Sequence, residues 1–343
     1  MDRRKRTRVK VGVIGTGWVA KARHVPAFRR HPNVDIVAVY DRNPDTAKRV
    51  AQEWRVPRSF SDQREFFSQD LDAVTICTPP WTHAELTCKA FERGLHVFTE
   101  KPMAMNAGDA EAMISASLKA ERLLCVSHNF LFSRSVRQAD HLLAKDSGVQ
   151  YALGLQLSSY RRRLPDWYQE LPGGLMLDES PHMIYTLQHF IGTLTLDSCR
   201  ATWSSKTGIP ASVEIQVSGT RAKGQITMLF DTPVSEWHIA LVGRERVIDL
   251  DLFRDIAISL KSDKTHKPLD ILRTSLRAAR GHAAGFLTSG TKYAFGRLYW
   301  GHDVIIGGFV DATLGRRQVP VDPTESLEVV RLTDAIIGAL SLG

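Results

Sequence analysis

A glycine-rich segment near the start of the chain constrains the fold more than any other feature of the sequence. Residues 15–20 read GTGWVA and fit the pattern G-x-G-x-x-G/A. They follow a β-branched run, Val9–Ile14, and open a predicted helix, Trp18–Arg30. In that context the first glycine permits a tight turn, and the second lets a pyrophosphate approach the backbone at the helix N-terminus. The sequence therefore predicts a dinucleotide-binding turn at residues 15–20.

An acidic residue stands where such a turn needs one. Asp41 follows the second predicted strand, Val34–Tyr40, 24 residues after Gly17. In dinucleotide-binding sheets, an acid about 20 residues beyond the glycines accepts a hydrogen bond from the ribose. This carboxylate favours NAD, because it repels the 2′-phosphate of NADP. The adjacent Arg42 is able to stack on adenine or pair with that phosphate, so NADP is the runner-up.

The order of the predicted elements indicates two domains. Strand-like and helix-like segments alternate up to about residue 127, as in a parallel sheet covered by helices. Later strand candidates are longer and lack intervening helices, which favours an antiparallel sheet; the candidate Trp237–Ile248 reads as one strand. We expect a basic disordered tail over residues 1–8 and an α/β Rossmann domain over 9–127. An α+β domain with a large, mostly antiparallel open sheet follows over 128–343, and its final helix is free to pack back on the first domain.

Charge and apolar content limit the partners that we expect. The net charge is +8, but six cations and one acid among the first ten residues already contribute +5. The remaining chain is near neutral, which argues against specific nucleic-acid binding. No apolar run approaches the roughly 18 residues of a membrane span, and the four cysteines show no paired or metal-ligand spacing. We expect a cytoplasmic protein with reduced thiols, no metal and no membrane partner.

Two further loops carry candidate chemistry at the same edge of the predicted parallel sheet. One strand ends in Thr78 and Pro79, with His83 shortly after, and the next ends in Glu100 and Lys101. Loops at the carboxyl ends of parallel strands form the ligand crevice of such sheets. A lysine there is expected beside the nicotinamide, although a single loop lysine is more often simply solvated.

The order of these motifs resembles the Gfo/Idh/MocA oxidoreductases. The shared motifs are G-x-G-x-x-A, the acid after strand two, T-P-P-x-x-H, E-K-P and G-G-x-x-x-D-x-x-x-H, and the similarity also includes HVP at 24–26 and SHNF at 127–130. The resemblance implies a Rossmann domain followed by an open sheet, with a sugar-like substrate between that sheet and the nicotinamide. It also implies that Lys101 is the catalytic lysine and that Asp178 and His182 are the downstream acid and histidine.

These three residues suit hydride transfer on chemical grounds as well. Hydride leaves a carbinol carbon only when a base takes the hydroxyl proton, and His182 is suited to that role near neutral pH. Lys101 is able to stabilise the developing alkoxide or relay the proton. Asp178 shares a helical face with His182 if the helix begins near residue 178. In the alternative, Ser180 is the N-cap and Pro181 is the first helical residue. Asp178 then lies before the helix, and its side chain points in a different direction from that of His182.

The sequence departs from the family pattern at three positions near these motifs. Ser180 stands where glycine is usual, Tyr185 where a second aspartate often follows, and Pro80 where asparagine is frequent. The first two bear on the shape of the substrate pocket and therefore on the identity of the substrate.

Two sets of binding residues complete the predicted site. The cofactor set is Gly15, Thr16, Gly17, Trp18, Val19, Asp41, Arg42, Thr78, Pro79, His83, Glu100 and Lys101. The substrate set is Asn129, Tyr160, Arg161, Arg163, Trp167, Asp178 and His182. The arginine run suits a carboxylate or phosphate, although a solvated strand end is the simpler explanation. A second basic region has three alternative roles: it lines the cleft, meets a partner subunit or, by default, is solvated. It consists of Arg273, Arg277, Arg280, Lys292 and Arg297.

We therefore expect an NAD(P)-dependent oxidoreductase that acts on a ring hydroxyl or ketone of a sugar, cyclic polyol or sugar derivative. One alternative is NAD-dependent glycosidase chemistry by transient oxidation. A non-catalytic dinucleotide-sensing or nucleic-acid-associated regulator is another. A broad open sheet is usually covered, so we expect a homodimer or homotetramer.

Overall fold

The computed structural model describes residues 7–144, 146, 148–159, 161, 164, 166–205, 208–262, 267–296 and 300–341. The chain divides into two compact units, each formed from two segments. Unit 1 comprises Met1–Asn129 and His302–Arg331, and unit 2 comprises Phe130–Gly301 and Leu332–Gly343. The fold class predicted from the sequence, a Rossmann sheet followed by a larger, mostly antiparallel sheet, is confirmed.

The sheet of unit 1 is parallel throughout and has the order β3-β2-β1-β4-β5-β6. Because β1 has β2 on one side and β4 on the other, the strand order reverses at β1. Ligands of such sheets bind at this switch point, beside the carboxyl ends of the strands. The strands are β1 (Val9–Ile14), β2 (Val34–Tyr40), β3 (Arg58–Phe60), β4 (Ala73–Ile76), β5 (His96–Thr99) and β6 (Leu124–Val126). The sequence analysis did not identify β3.

Helices cover this sheet and begin at side-chain caps that the sequence supplies. Asn43, Asp62 and Asn106 each accept hydrogen bonds from backbone N–H groups in the first turn of α2, α3 and α5. The segment predicted as one helix over 18–30 contains a π-helical turn, Ala20–His24, before α1. The helices of unit 1 are α1 (Val25–Arg30), α2 (Pro44–Trp54), α3 (Gln63–Phe67), α4 (His83–Glu92), α5 (Ala107–Ala120) and α10 (His302–Thr313).

The core of unit 1 draws on both ends of the sequence. Phe309 of α10 packs its ring 5.5 Å from that of Phe98 on β5. Leu327 and Val330 join the same buried cluster as Ile14. They belong to α11 (Pro323–Ser341), a helix that begins in unit 1 and ends in unit 2. At the other end of the chain, Arg8 of the predicted tail donates two hydrogen bonds to the carboxylate of Asp35 on β2, at 2.7 and 2.6 Å.

The sheet of unit 2 has the order β13-β12-β11-β7-β10-β9-β8. Every neighbouring pair is antiparallel except β10 and β7, which are parallel. The single strand predicted over 237–248 is wrong, because the chain reverses after Gly243 and forms two paired strands, β11 and β12. The strands are β7 (Val149–Ser159), β8 (Leu194–Trp203), β9 (Pro210–Gly219), β10 (Lys223–Thr232), β11 (Glu236–Gly243), β12 (Arg246–Asp251) and β13 (Ile256–Lys261).

Helix α7 (Leu175–Ile191) packs on one face of this sheet and is largely buried. The alternative start at Ser180 is wrong, because the helix begins five residues earlier and Pro181 lies inside it. The other helices of unit 2 are α6 (Arg134–Leu143), α8 (Pro268–Gly285) and α9 (Thr291–Ala294). Within the described part of the chain, no helix combines the length and apolar character that a membrane crossing requires.

Candidate active site

The glycine turn of unit 1 has the conformation that a dinucleotide requires. Gly15 has a φ of +82°, and a Cβ there would lie 2.7 Å from Cγ2 of Thr78, so a larger residue does not fit. A Cβ on Gly17 would meet no atom within 4 Å, which leaves the backbone open to a ligand. Among the described residues, no side chain caps the helix start at Val19. These features fit a pyrophosphate at the turn.

Asp41 connects the glycine turn to the end of β2. Its Oδ2 accepts hydrogen bonds from the backbone N of Thr16 at 2.9 Å and from the Thr16 hydroxyl at 2.7 Å. Its Oδ1 accepts one from the backbone N of Asn43 at 3.0 Å. A carboxylate has about four acceptor positions, so Oδ1 retains capacity for a ribose hydroxyl. Asp41 therefore orders the glycine turn, in addition to its predicted role as the acceptor of a ribose hydroxyl.

His83 holds together the loops that follow β4 and β5. Its ring is fully buried, with Nδ1 2.8 Å from the carbonyl oxygen of Pro102 and Nε2 2.9 Å from that of Thr78. Burial lowers the pKa of His83, so at neutral pH the ring has one N–H to donate to one of these carbonyls. The ring nitrogens thus face protein backbone. Any effect of His83 on a cofactor passes through the position of the two loops.

Glu100 lies in a buried ion pair with a residue that the sequence analysis did not assign to the site. His24 Nε2 donates to Oε1 of Glu100 at 2.6 Å, and His24 Nδ1 is 2.7 Å from the Thr75 hydroxyl. The second oxygen of Glu100, Oε2, accepts from the backbone N of Lys101 at 3.2 Å. His24 belongs to the HVP motif at residues 24–26, which was the only sequence signal for it.

The two partners of this pair keep each other charged. Burial alone would lower the pKa of His24, but Cys77 and Glu100 together raise it to about 10. Burial alone would raise the pKa of Glu100, but the hydrogen bond and charge of His24, with smaller effects of His302 and Lys101, hold it well below its usual range. Near neutral pH the pair is therefore an imidazolium and a carboxylate.

The same cluster has the residue types of a metal site, but its geometry is that of an ion pair. The ligand atoms of His24, Glu100 and His302 lie within 4.8 Å of one another. Two ligands of one zinc ion, each about 2 Å from the metal, lie about 3.3 Å apart. The His24 and Glu100 atoms are separated by 2.6 Å, a hydrogen-bond distance. We therefore infer that His24 and Glu100 position the loop that carries Lys101.

Lys101 is the predicted catalytic lysine, and it lies just beyond the carboxyl end of β5. Its side chain is partly exposed, and its peptide bond to Pro102 is cis. Its backbone is held by Glu100, and the next residue is held by His83. The glycine turn, Asp41 and Lys101 therefore lie at one edge of the unit 1 sheet.

In unit 2, the start of α7 brings Asp178 and His182 onto one helical face. Gly173 and Gly174 have φ values of +71° and +59°, and this left-handed backbone leads into the helix at Leu175. Because the helix spans both residues and they are four apart, their side chains lie one turn from each other. Both are partly exposed.

The buried hydroxyl of Tyr185 holds the imidazole of His182. His182 Nδ1 is 2.7 Å from the Tyr185 hydroxyl oxygen, which also accepts from the backbone N of Phe130 at 3.2 Å. Sequence analysis identified Tyr185 only as a departure from the family pattern. The spacing of three residues along a helix was the available signal, since it places the two side chains on the same face.

Aromatic rings surround His182. Its ring centroid lies 5.0 Å from that of Phe130, 5.3 Å from Trp237 and 5.6 Å from Tyr185. Such rings restrict the orientation of the imidazole and provide apolar surface, which suits the C–H face of a sugar ring. The sequence analysis missed Phe130 and Trp237, because they lie far from His182 in the sequence.

A buried carboxylate fixes α7 on the sheet beneath it. Ser158 of β7 donates its hydroxyl hydrogen to Oε2 of Glu179 at 2.6 Å, and the side-chain amide of Gln156 donates to the same oxygen. All three side chains are buried. Since Glu179 lies between Asp178 and Ser180 in the helix, this contact sets the rotation of α7 and hence the direction of Asp178 and His182.

The remaining predicted site residues are placed as follows. Trp18 is 48% exposed and lies under the Arg23 guanidinium, 5.1 Å from the ring centroid. Arg42 and Arg161 are exposed, Asn129 is buried at the end of the first segment of unit 1, and Trp167 is partly exposed in a short 3-10 turn of unit 2. Tyr160, Arg163 and Arg297 lie outside the described residues.

The parallel sheet, its open glycine turn and the acid that follows β2 are the features of a Rossmann-type dinucleotide-binding unit. A family model described as "Oxidoreductase family, NAD-binding Rossmann fold" matches residues 9–128. This match covers the first segment of unit 1, and it agrees with the resemblance of that region to the Gfo/Idh/MocA oxidoreductases.

Curated relatives and a solved structure are similar to the chain over longer stretches. The chain is 26% identical over 309 residues to a dTDP-3,4-didehydro-2,6-dideoxy-α-D-glucose 3-reductase of Saccharopolyspora spinosa. This match covers 80% of this chain and 89% of the relative. It is 25% identical over 186 residues to a myo-inositol 2-dehydrogenase of Thermotoga maritima, 54% of this chain and 55% of the relative. In fold the chain is similar to the WlbA dehydrogenase of Bordetella pertussis, which was solved with NADH and UDP-GlcNAcA. The TM-score is 0.80, the sequence identity is 18%, and the match covers 98% of this chain and 96% of the WlbA chain.

Proposed function

We propose that the protein transfers hydride between NAD and a ring hydroxyl or ketone of a sugar derivative, with NADP as the less favoured cofactor. The observation that carries this proposal is the site in unit 1, where an open glycine turn, Asp41 and Lys101 share one edge of the sheet. The Asp41 carboxylate favours NAD over NADP by charge. The bound nicotinamide supplies hydride transfer, and the chain supplies binding and proton transfer.

We assign proton transfer to His182, with Lys101 and Asp178 in supporting roles. The Tyr185 hydroxyl meets Nδ1 of His182, so we assign Nε2 to the substrate oxygen. In the oxidation direction His182 takes the hydroxyl proton, and in reduction it returns a proton to the oxygen that becomes the hydroxyl. The ammonium of Lys101 stabilises negative charge on the reacting oxygen. Asp178 holds a substrate hydroxyl or the imidazole.

We propose nucleotide-linked sugars as the first substrates to test. One protein similar to this chain is named as a reductase of a dTDP-sugar, and another was solved with UDP-GlcNAcA. These proteins, together with an inositol dehydrogenase, favour net hydride transfer over the glycosidase and regulator alternatives. The exposed Arg161 of unit 2 suits a phosphate or carboxylate of such a substrate.

A substrate screen with active-site variants tests the function. Nucleotide sugars, free sugars and cyclic polyols are incubated with NAD or NADP, and the absorbance of the reduced nicotinamide is followed. With an active substrate, Lys101→Ala and His182→Ala should each lower kcat by roughly 100-fold to 10,000-fold, while NAD still binds. The matched controls are Lys119→Ala and His141→Ala, two exposed residues on α5 and α6. Full turnover in both active-site variants would refute the roles assigned here.

We also propose that the open face of the unit 2 sheet forms a homodimer or homotetramer contact. On β7, Ala152 and Gln156 are buried, whereas Leu153 and Leu155 between them are 42% and 40% exposed. Sedimentation equilibrium measures the assembly, and a monomeric mass would contradict it.

A further inference from the structure

Helix α8 presents an apolar face to solvent, an unusual arrangement for a helix of 18 residues. Gly285 is the only residue of α8 that is fully buried. The helix approaches β13 through small residues, since a Cβ on Gly281 would lie 2.9 Å from Ile258 and one on Gly285 would lie 2.3 Å from Ile256. The larger apolar residues of α8 therefore have no place against the sheet.

Apart from Ile271, which is 50% exposed beside the sheet-facing side, these apolar residues form a continuous stripe on the opposite side of the helix. Their spacing is three and four residues in alternation, which keeps them on one face over the whole length. Leu269, Leu272 and Leu276 are 55%, 54% and 47% exposed, and Phe286, just beyond the helix, is 70% exposed. We call this stripe the α8 seam; it consists of Leu269, Leu272, Leu276, Ala279, Ala283 and Phe286. Exposed apolar surface of this extent marks an interaction site.

Positive charge accompanies the α8 seam. Arg273, Arg277 and Arg280 follow one edge of it, and all three are exposed. Between Lys267 and Phe295 the chain has five lysines and arginines but a single acidic residue, Asp270, whose carboxylate lies 3.7 Å from the Arg273 guanidinium. The surface that meets a partner is therefore apolar and cationic.

A second copy of the chain is a poor occupant for this surface. If two seams paired antiparallel, Arg273 and Arg280 would face the same arginines of the other copy, because they occupy the position next to the seam. In a parallel pair they would face Pro268 and Ser275 of the other copy. Neither arrangement offers a carboxylate to the arginines, so the charges oppose self-association.

We propose that the α8 seam binds the surface of an anionic phospholipid bilayer. A helix with leucine and phenylalanine on one face and arginine at its edge lies in the plane of such a surface and buries its apolar face at the headgroup boundary. The arginines meet lipid phosphates, and their aliphatic parts cover the adjoining apolar surface. Exposed aromatic residues beyond the helix, Tyr293 and Phe295, extend the same contact. This is a peripheral contact, which needs no membrane-spanning helix, and it revises the expectation of no membrane partner.

Cosedimentation with lipid vesicles tests this proposal on the full chain. The vesicles contain phosphatidylglycerol and phosphatidylcholine, or phosphatidylcholine alone. We expect binding to the anionic vesicles only, and weaker binding at high salt. Leu272→Gln with Leu276→Gln should reduce the affinity at least tenfold. Arg273→Gln with Arg277→Gln and Arg280→Gln should reduce it about 100-fold.

Matched variants separate the seam from other exposed and basic residues. Leu118→Gln changes a leucine of α5 that is 73% exposed, more than either seam leucine, and Arg49→Gln with Arg93→Gln and Lys119→Gln removes the same charge from exposed positions in unit 1. A variant without residues 2–6 removes four of the five cations of the tail. All these variants should bind the anionic vesicles within about threefold of the full chain. Circular dichroism and the unfolding midpoint show that each variant is folded.

Four results would overturn the proposal. The first is no binding to anionic vesicles, and the second is equal binding by the seam variants and their matched controls. The third is binding that disappears with residues 2–6 and survives in the seam variants. The fourth is a lipid-free mass that halves when Leu272 and Leu276 are changed, because a second copy then covers the seam.

Discussion

The two units hold their candidate catalytic residues by different forces. In unit 1, a buried charge pair, His24 and Glu100, fixes the loop of Lys101. In unit 2, His182 is held by a tyrosine hydroxyl and aromatic rings. A buried ion pair fixes geometry strongly but fails when either partner is removed. Aromatic contacts orient a side chain and let its charge change during proton transfer. The difference suits a rigid cofactor loop in one unit and a histidine that transfers a proton in the other.

The largest effect is expected from removal of one partner of the buried pair. Glu100→Ala leaves a buried imidazole without its counter-charge, so the free energy of unfolding should fall by about 3–5 kcal/mol. Urea titration measures this change. Glu85→Ala serves as the control, because Glu85 pairs with Lys89 on an exposed helix face and should cost no more than about 0.5 kcal/mol. Similar falls in the free energy of unfolding in both variants would show that the buried pair of His24 and Glu100 does not stabilise unit 1 more than a surface ion pair does.

The same pair predicts how stability depends on pH. The pKa of His24 is raised from its usual 6.5 to about 10, so its contribution is complete below pH 6.5 and is lost as the pH rises toward 10. The pKa of Glu100 is lowered from its usual 4.5, so its contribution is present above pH 4.5 and is lost as the pH falls further. Urea unfolding at pH 6 and pH 9.5 should show a smaller loss in His24→Asn than in the unaltered protein. An equal fall in the free energy of unfolding in both proteins would show that a group other than His24 causes the loss of stability at alkaline pH.

A smaller effect, confined to activity and local stability, is expected at Tyr185 in unit 2. Tyr185→Phe removes the hydroxyl that contacts His182 and leaves the backbone N of Phe130 without that partner. We expect kcat to fall about tenfold and the free energy of unfolding to fall by about 1–3 kcal/mol. Tyr168→Phe is the control, because within the described part of the chain its hydroxyl accepts a local hydrogen bond from the neighbouring Gln169 side chain. An unchanged kcat in Tyr185→Phe would mean that the aromatic rings alone orient His182.

The parts of the fold that the sequence predicted depend on local chemistry. The glycine turn needs a positive φ at Gly15, and the sequence shows that requirement directly. The alternation of strands and helices in unit 1 follows from apolar runs separated by caps and turns. The start of α7 was less certain, because Pro181 is compatible with a first turn. The left-handed Gly173 and Gly174 decide for the earlier start.

The parts that the sequence did not predict depend on contacts between distant residues. His24 and Glu100 are separated by 76 positions, and nothing local marks them as partners. The reversal after Gly243 lacks a strong turn signal, so β11 and β12 read as one strand. Tyr185 looked like a departure from the family pattern, and only the folded helix brings its hydroxyl to His182. Such pairings come from tertiary packing, which overrides local preference.

The split of unit 1 between the two ends of the chain has a consequence for synthesis. Phe309, Leu327 and Val330 belong to its core, but they follow the whole segment Phe130–Gly301 in the sequence. A ribosome adding about 5–20 residues per second makes that segment in roughly 10–35 s. The first 129 residues therefore leave the ribosome with an incomplete core, and the unit that is begun first is finished last. During that interval its parallel strands expose apolar surface that α10 and the start of α11 later cover.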